Sequence, residues 1–226
     1  MANIAPALHR DERWKPASEL HLLSAEPKFA SLELSALKRL FSKGLQRGTI
    51  SEIYGRRSSG RTSVCLHVLA QSTARGEICA VIDLYDSFHP ASAAIAGIRL
   101  DHLLWVRCRG NAEYAIRATD LLLHAGGFGV VLLDLCEANP RTLNRIPLSY
   151  WYRFRGAIEH TPAILLLCAE SAQAKSCSSN QLQLKDNAFH WSGKLPFLIL
   201  RGLRANAVLR KNKAIRPESL FIRTVA

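Results

Sequence analysis

No stretch of this 226-residue chain approaches the roughly 18 consecutive apolar residues of a membrane span. The first residues, "MANIAPALHRDERWKP", lack the apolar centre of a secretory signal. No C-x-x-C pair occurs: the six cysteines are scattered at 65, 79, 108, 136, 168 and 177, several inside apolar runs. Such spacing argues against a disulfide framework and a zinc ribbon, and for small buried side chains in a reducing, cytoplasmic setting. His89, His102 and His190 have no partners at metal-ligand spacing, so all eight histidines read as structural or surface groups. No repeat or low-complexity tract is visible. Acidic residues are scarce, 18 against 30 Lys and Arg, for a net charge of +12. The excess is concentrated: residues 171–226 hold ten Lys/Arg and two Asp/Glu, a balance of +8. A surface of that kind suits phosphate-rich partners or anionic membrane, or serves only to keep the chain solvated.

What is present is an alternation of elements. Residues 1–30 carry Pro6, Pro16 and Pro27 and read as irregular; residues 31–226 read as one core domain. Ser31 is placed to cap a helix through "LELSALKRLF", with Leu32, Leu37, Leu40 and Phe41 on its apolar side, and Gly44 and Gly48 bracket a turn. "TISEIY" predicts a strand and "TSVCLHVLAQSTARG" a helix ended by Gly76. "ICAVIDL", "LLWVRC", "VVLLDL" and "AILLLCAE" predict strands, separated by helices over "PASAAIAGIRL", "NAEYAIRATDLLLHAGG" and "LSYWYRFRGAIEH". Strands without polar alternation, interleaved with helices, predict an α/β fold whose mostly parallel sheet is covered on both faces. "QLQLK", "FHW", "FLILRGL", "NAVLRKN" and "SLFIRTV" predict shorter, partly antiparallel strands at the C-terminal end.

Between the first strand and its helix lies "GRRSSGRT", residues 55–62. The spacing is that of a phosphate loop, G-x-x-x-x-G-K-[ST], with Arg61 where the pattern has lysine. Backbone N–H groups in such a loop converge on anionic oxygens at a helix N-terminus, and the hydroxyl of Thr62 is placed for a magnesium ion. A second carboxylate is needed at the tip of a neighbouring buried strand, and "VVLLDL" offers Asp134. Arginine keeps the charge but binds as a planar fork rather than a compact point. An active site, a weakly binding site and a dead one all stay open on these residues, as does a chance turn.

"LQRGTISEIYGRRSSGRTS" resembles the RecA recombinase family, whose loop follows a "G-R-I-x-E-I-Y-G-x-x-S-S-G-K-T-T" run. "CAVIDLYDSFHPASAAIAGIRLDHLL" is similar to that family's next strand-turn-helix, "GVVLLDL" to its second nucleotide-site strand, and "VLRKNKAIRP" to its "V-V-K-N-K-I-A-A-P" stretch. The resemblance spans about residues 44–222. It implies a RecA-like P-loop core that binds ATP or ADP with Mg, through Gly55, Ser58, Ser59, Gly60, Arg61, Thr62 and Ser63. It implies Asp134 as the carboxylate that, with Thr62, orders the metal. It places Lys211 and Lys213 on lysines that reach the nucleotide of a neighbouring subunit, and so implies head-to-tail self-assembly. The family's water-activating glutamate falls on Tyr85; a phenol keeps its proton near neutral pH and is no base for water. Asp86 is adjacent, with its side chain expected on the other face if the strand continues. The glutamine that senses the terminal phosphate falls near Glu170. These departures imply weak or absent hydrolysis.

The family's N-terminal assembly arm is not recognisable in residues 1–30, and its C-terminal domain has no counterpart before the chain stops. That outline resembles the short ImuA-type DNA-damage accessory proteins, which implies a role beside an error-prone polymerase in SOS-type translesion mutagenesis or recombinational repair. An ATP-dependent recombinase polymerising on single-stranded DNA and a RecA-fold cell-division inhibitor are the alternatives. For DNA contact, "SYWYRFRG" offers Trp151, Arg153 and Arg155 on the surface of a helix whose buried stripe is Tyr150, Phe154 and Ile158. Residues 170–187, with Lys175 and Lys185, read as a polar flexible loop, by position the family's second DNA loop or else a plain connection.

Overall fold

The computed structural model describes residues 29–194, 196–211 and 216–223. A short strand β1 (Phe29–Ala30) precedes helix α1 (Ser35–Leu40), and β1 pairs antiparallel with β2 (Leu45–Gln46) as a separate two-stranded sheet. The main elements follow as β3 (Thr49–Gly55), α2 (Arg61–Ala74), β4 (Cys79–Asp83), α3 (Pro90–Ile95), β5 (Leu103–Arg107), α4 (Ala112–Ala125), β6 (Val130–Asp134), α5 (Pro140–Leu143), α6 (Leu148–Ile158) and β7 (Ile164–Ala169). The chain closes with β8 (Ser178–Ser192), β9 (Ile199–Leu209) and β10 (Glu218–Arg223).

Eight strands form one sheet in the order β10-β9-β8-β3-β7-β6-β4-β5. From β8 to β5 all neighbours are parallel, and β9 and β10 are antiparallel. The apolar runs are explained by two cores. Val130 and Leu132 of β6 face the side of α1 and α2, with Leu37, Leu40, Val64, Val68 and Leu69. Val131 and Leu133 face α4 and α6, with Ile116, Leu123, Phe154 and Ile158. A strand wetted on neither face has no position left for a polar side chain.

Several expectations change in detail. Helix α1 begins at Ser35 with Leu34 at its N-cap and no side-chain cap, so Ser31 does not cap it, although Leu32, Leu37, Leu40 and Phe41 are buried as expected. Helix α3 is six residues rather than eleven, because the backbone turns at Gly97. The five short strands expected at the C-terminal end are two long strands and one of six residues, and the first, β8, runs parallel to β3. Alternation in "QLQLK" and "FHW" belongs to one 15-residue strand carrying a bulge between Lys185 and Ala188. The loop expected over residues 170–187 is therefore mostly β8. Its remaining turn is pinned by Glu52, a buried carboxylate that accepts from the backbone N–H of Gln173 at 2.7 Å and of Ala174 at 3.1 Å. Two backbone donors on one carboxylate leave that turn little freedom.

Candidate nucleotide site

Gly55 ends β3 and Gly60 is the N-cap of α2, so residues 56–59 form the turn that carries N–H groups toward the helix end. Both glycines are required by their surroundings. A Cβ on Gly55 would strike the carbonyl oxygen of Leu184 on β8, and one on Gly60 would strike Cδ1 of Ile222 on β10. Gly60 also adopts φ +90°, which a side chain disfavours. Ser58, at φ 58°, holds the left-handed conformation without being glycine. It is restrained by Asn187, whose side-chain amide donates to its carbonyl at 2.9 Å. Arg57 pairs with Glu137, tying the loop to the segment after β6.

The hydroxyl of Ser59 and Nη1 of Arg61 are buried with no hydrogen-bond partner among the described residues. Two orphaned donors in one loop fit an anionic group, since burial without a partner is destabilising. Arg61 is only 5% exposed, and its Nη2 lies 3.9 Å from a carboxylate oxygen of Glu170, just past the end of β7. Glu170 thus faces the guanidinium that stands at the lysine position of the loop.

Asp134 ends β6 directly opposite Asp83 of β4 and Cys168 of β7. One of its oxygens accepts from the N–H of Cys136 at 2.9 Å. Burial pushes its pKa up, the neighbouring Asp83 pushes it further, and Arg61 opposes both. Asp83 is itself committed to local hydrogen bonds. It accepts from Ser87 N–H at 3.0 Å, Phe88 N–H at 2.8 Å and Trp105 Nε1 at 3.2 Å, and so organises the turn after β4. Beyond Asp83 the strand stops. Tyr85 is exposed in the turn, and Asp86 sits at φ 59° and pairs with Arg107 at 2.8 Å. The strand does not continue to Asp86, and its carboxylate is held by Arg107.

An acid whose folded pKa is raised gives its full stability below the unfolded-state value and loses it as pH rises through the folded value. At neutral pH the charged Asp134 thus lowers stability. Asp134→Asn keeps the acceptor for Cys136 and removes the charge. The variant should unfold at higher denaturant than the wild type at neutral pH, and the gap should close as pH falls toward the ordinary carboxyl value of 3.8. Denaturation curves across pH measure this; a variant less stable than wild type at neutral pH refutes the account.

A feature with no signature in the loop motif is the extension of β8, β9 and β10 beyond it. β8 pairs with β3 up to Gly55–Leu184 and then runs on for eight residues. Phe189, Leu203 and Ile222 form a row across the three strands. With Leu200 and Phe221 they line one side of a cavity of about 1070 Å³ whose other side is Arg57 to Val64 of the loop and first turn of α2. Only the register of long-range strands brings them there.

The proposed DNA-contact residues are not gathered on one surface. Trp151 is 2% exposed and packs edge-on to Phe154 at 5.8 Å, so it is a core residue and not a stacking platform. The buried stripe of α6 is Trp151, Phe154 and Ile158, with Tyr150 at its margin. Arg153 is held by Asp120 of α4 at 2.6 Å. Arg155 lines a basin with Ser176 to Ser179 at the end of the sheet away from the loop, and Lys175 lies exposed in the adjoining turn. Lys185 is exposed on β8, one residue past the Gly55 level. Lys211 follows β9 and donates to the carbonyl of Ser178, also at the end away from the loop. Lys213 lies outside the described residues. No helix among the described residues is long and apolar enough to cross a membrane.

A strand–phosphate loop–helix unit with acidic tips on parallel strands of the same sheet defines the class as a P-loop α/β protein. The family model of the RecA N-terminal domain matches residues 28–142, and the chain belongs to that family. Among curated proteins it is similar to Protein RecA of Laribacter hongkongensis (strain HLHK9), 40% identical over 95 residues, which is 42% of this chain and 27% of that protein. It is similar to Protein RecA of Cutibacterium acnes, 42% identical over 95 residues covering the same shares, and of Rhodospirillum rubrum, 41% identical over 95 residues, 42% of this chain and 26% of that protein. The matched stretch thus spans about a quarter of the length of these relatives.

Proposed function

We propose that the chain is a short RecA-like factor of the bacterial DNA-damage response, of the ImuA type. It serves translesion mutagenesis or recombinational repair in the cytoplasm by holding single-stranded DNA or a polymerase partner. It binds ATP or ADP weakly and turns it over slowly or not at all. The observation that carries this reading is the contact between Arg61 and Glu170. The loop keeps its glycines, its buried Ser59 and Thr62, but its cation already faces a carboxylate of its own chain. A nucleotide phosphate must displace that carboxylate. Gly55 to Ser63 would hold the phosphates, and Thr62 with Asp134 would order the magnesium ion.

DNA contact fits the β8–β10 extension better than α6. Trp191 is 57% exposed and Phe197 80%, and Lys194, Arg201 and Arg204 are exposed on the same hairpin. Flat rings beside cations suit stacking of unpaired bases with phosphate contact. Trp191→Ala should weaken binding of single-stranded DNA by about tenfold or more, since a stacked base contributes about 1–3 kcal/mol. Affinity should also fall steeply as salt rises, through counterion release. Fluorescence anisotropy with a labelled oligonucleotide tests both, and binding indifferent to salt and to Trp191 sinks this surface.

Self-assembly is the part of the reading that rests on Lys211. The residue stands at the end of the sheet opposite its own loop, as a group reaching a neighbour's nucleotide must. Lys211→Ala should reduce nucleotide-promoted association in sedimentation while leaving the melting curve unchanged; a protein that stays monomeric with and without nucleotide overturns it. DNA-stimulated ATP hydrolysis at a steady rate would favour the recombinase instead.

A further inference from the structure

Three of the six cysteines meet behind the phosphate loop although 32 or more residues separate each from the next. Cys65 lies in the second turn of α2, Cys168 lies on β7 opposite Asp134, and Cys136 lies two residues past Asp134. The Sγ atoms of Cys136 and Cys168 are 3.0 Å apart. A carboxylate oxygen of Asp134 and both of these sulfurs lie within 4.8 Å of one another. The Cys65 thiol faces that of Cys168. All three cysteines are buried, at 1%, 7% and 1% exposed in chain order, and Asp134 is 9% exposed.

We propose that Cys136, Cys168 and Asp134 form a site for a soft divalent cation, zinc by its chemistry. Two sulfurs and one carboxylate oxygen select zinc over magnesium or calcium, which take oxygen donors, and leave the fourth tetrahedral position to water. The geometry is near to that required. Zinc–sulfur bonds of about 2.3 Å place two thiolates of a tetrahedron about 3.8 Å apart. The Cys136–Cys168 pair thus needs to open by less than about 1 Å. The donors come from strand β7, the end of β6 and the turn just after it, so the core presents them already gathered. Entry is available because Cys136 lines the cavity beside the phosphate loop.

One consequence rests on the nucleotide reading above. Asp134 cannot serve zinc and order magnesium at once, so zinc-loaded protein should bind Mg–ADP less tightly than metal-free protein.

The test uses the full chain, reduced and freed of metal by chelation. Cobalt(II) titration should give one equivalent bound, with a sulfur-to-cobalt charge-transfer band and the visible bands of a tetrahedral centre, and zinc should displace it. Cys136→Ser and Cys168→Ala should each weaken zinc by at least about tenfold. Cys177→Ser, outside the cluster, should leave it unchanged. Circular dichroism and melting curves decide whether each variant is folded. Cys136→Ser is the more conservative, and the cobalt spectrum of the wild type stands independently of any variant. Absence of the charge-transfer band, or zinc affinity equal in the wild type and a folded Cys136→Ser, overturns the site. Zinc binding without any ADP binding in either state refutes the nucleotide reading and supports the metal site.

Discussion

Wild-type protein should bind ADP or ATP weakly and release phosphate at close to background rate, with or without single-stranded DNA. Glu170→Gln should tighten binding about three- to tenfold, because it frees the Arg61 guanidinium without altering side-chain volume. The gain is limited because Glu170 is 44% exposed and its pairing is screened by water. Arg61→Lys should also tighten binding, by replacing a planar fork with a point charge that reaches the phosphates. Neither change should give fast turnover. On the proposed reading Tyr85 stands where a water-activating carboxylate is needed, and Asp86 is held by Arg107 at 2.8 Å. Arg61→Lys combined with Tyr85→Glu should raise phosphate release by orders of magnitude over either single change, since the two serve one transition state. Tyr85 is an exposed turn residue, so its replacement should not disturb the fold. Calorimetry and phosphate-release assays on the four proteins decide the matter. Brisk DNA-stimulated hydrolysis by the wild type would show that Arg61 is no obstacle to catalysis.

Trp151→Ala should lower stability by about 3–5 kcal/mol, the usual cost of removing a large buried aromatic side chain. The indole is 2% exposed and packs edge-on against Phe154 at 5.8 Å within the core on the α4–α6 side of the sheet. Arg153→Ala, one turn face away, should change stability by no more than about 1 kcal/mol, since its partner Asp120 pairs with it at an exposed site. Denaturant titration of both variants measures the contrast. Any loss of DNA affinity in Trp151→Ala should follow the unfolded fraction; normal stability with lost DNA binding would return Trp151 to the surface.

The error at Trp151 has a physical source. Residues 150, 154 and 158 and residues 151, 154 and 158 both make a helical stripe, and the two differ by one position at the first turn. Aromatic and basic residues alternate through "SYWYRFRG", so composition does not choose between them. The choice is made by the direction from which α6 approaches the sheet. The same holds at the C-terminal end, where alternation is plain in the residues but the bulge and the extension over the loop follow from pairing with β3 and β9.

Local chemistry determined much by itself. Uninterrupted apolar runs dictated strands buried on both faces, and glycines 55 and 60 around two serines dictated the turn at the head of α2, because both depend on neighbours within a few residues. Tertiary structure alone decided what faces the loop. Glu170 beside Arg61, Ile222 over Gly60, and the Cys168 thiol beside Cys136 and Asp134 each join residues far apart in the chain. Their meeting depends on strand order and register, which are settled by packing of the whole sheet, and no short window of sequence records that.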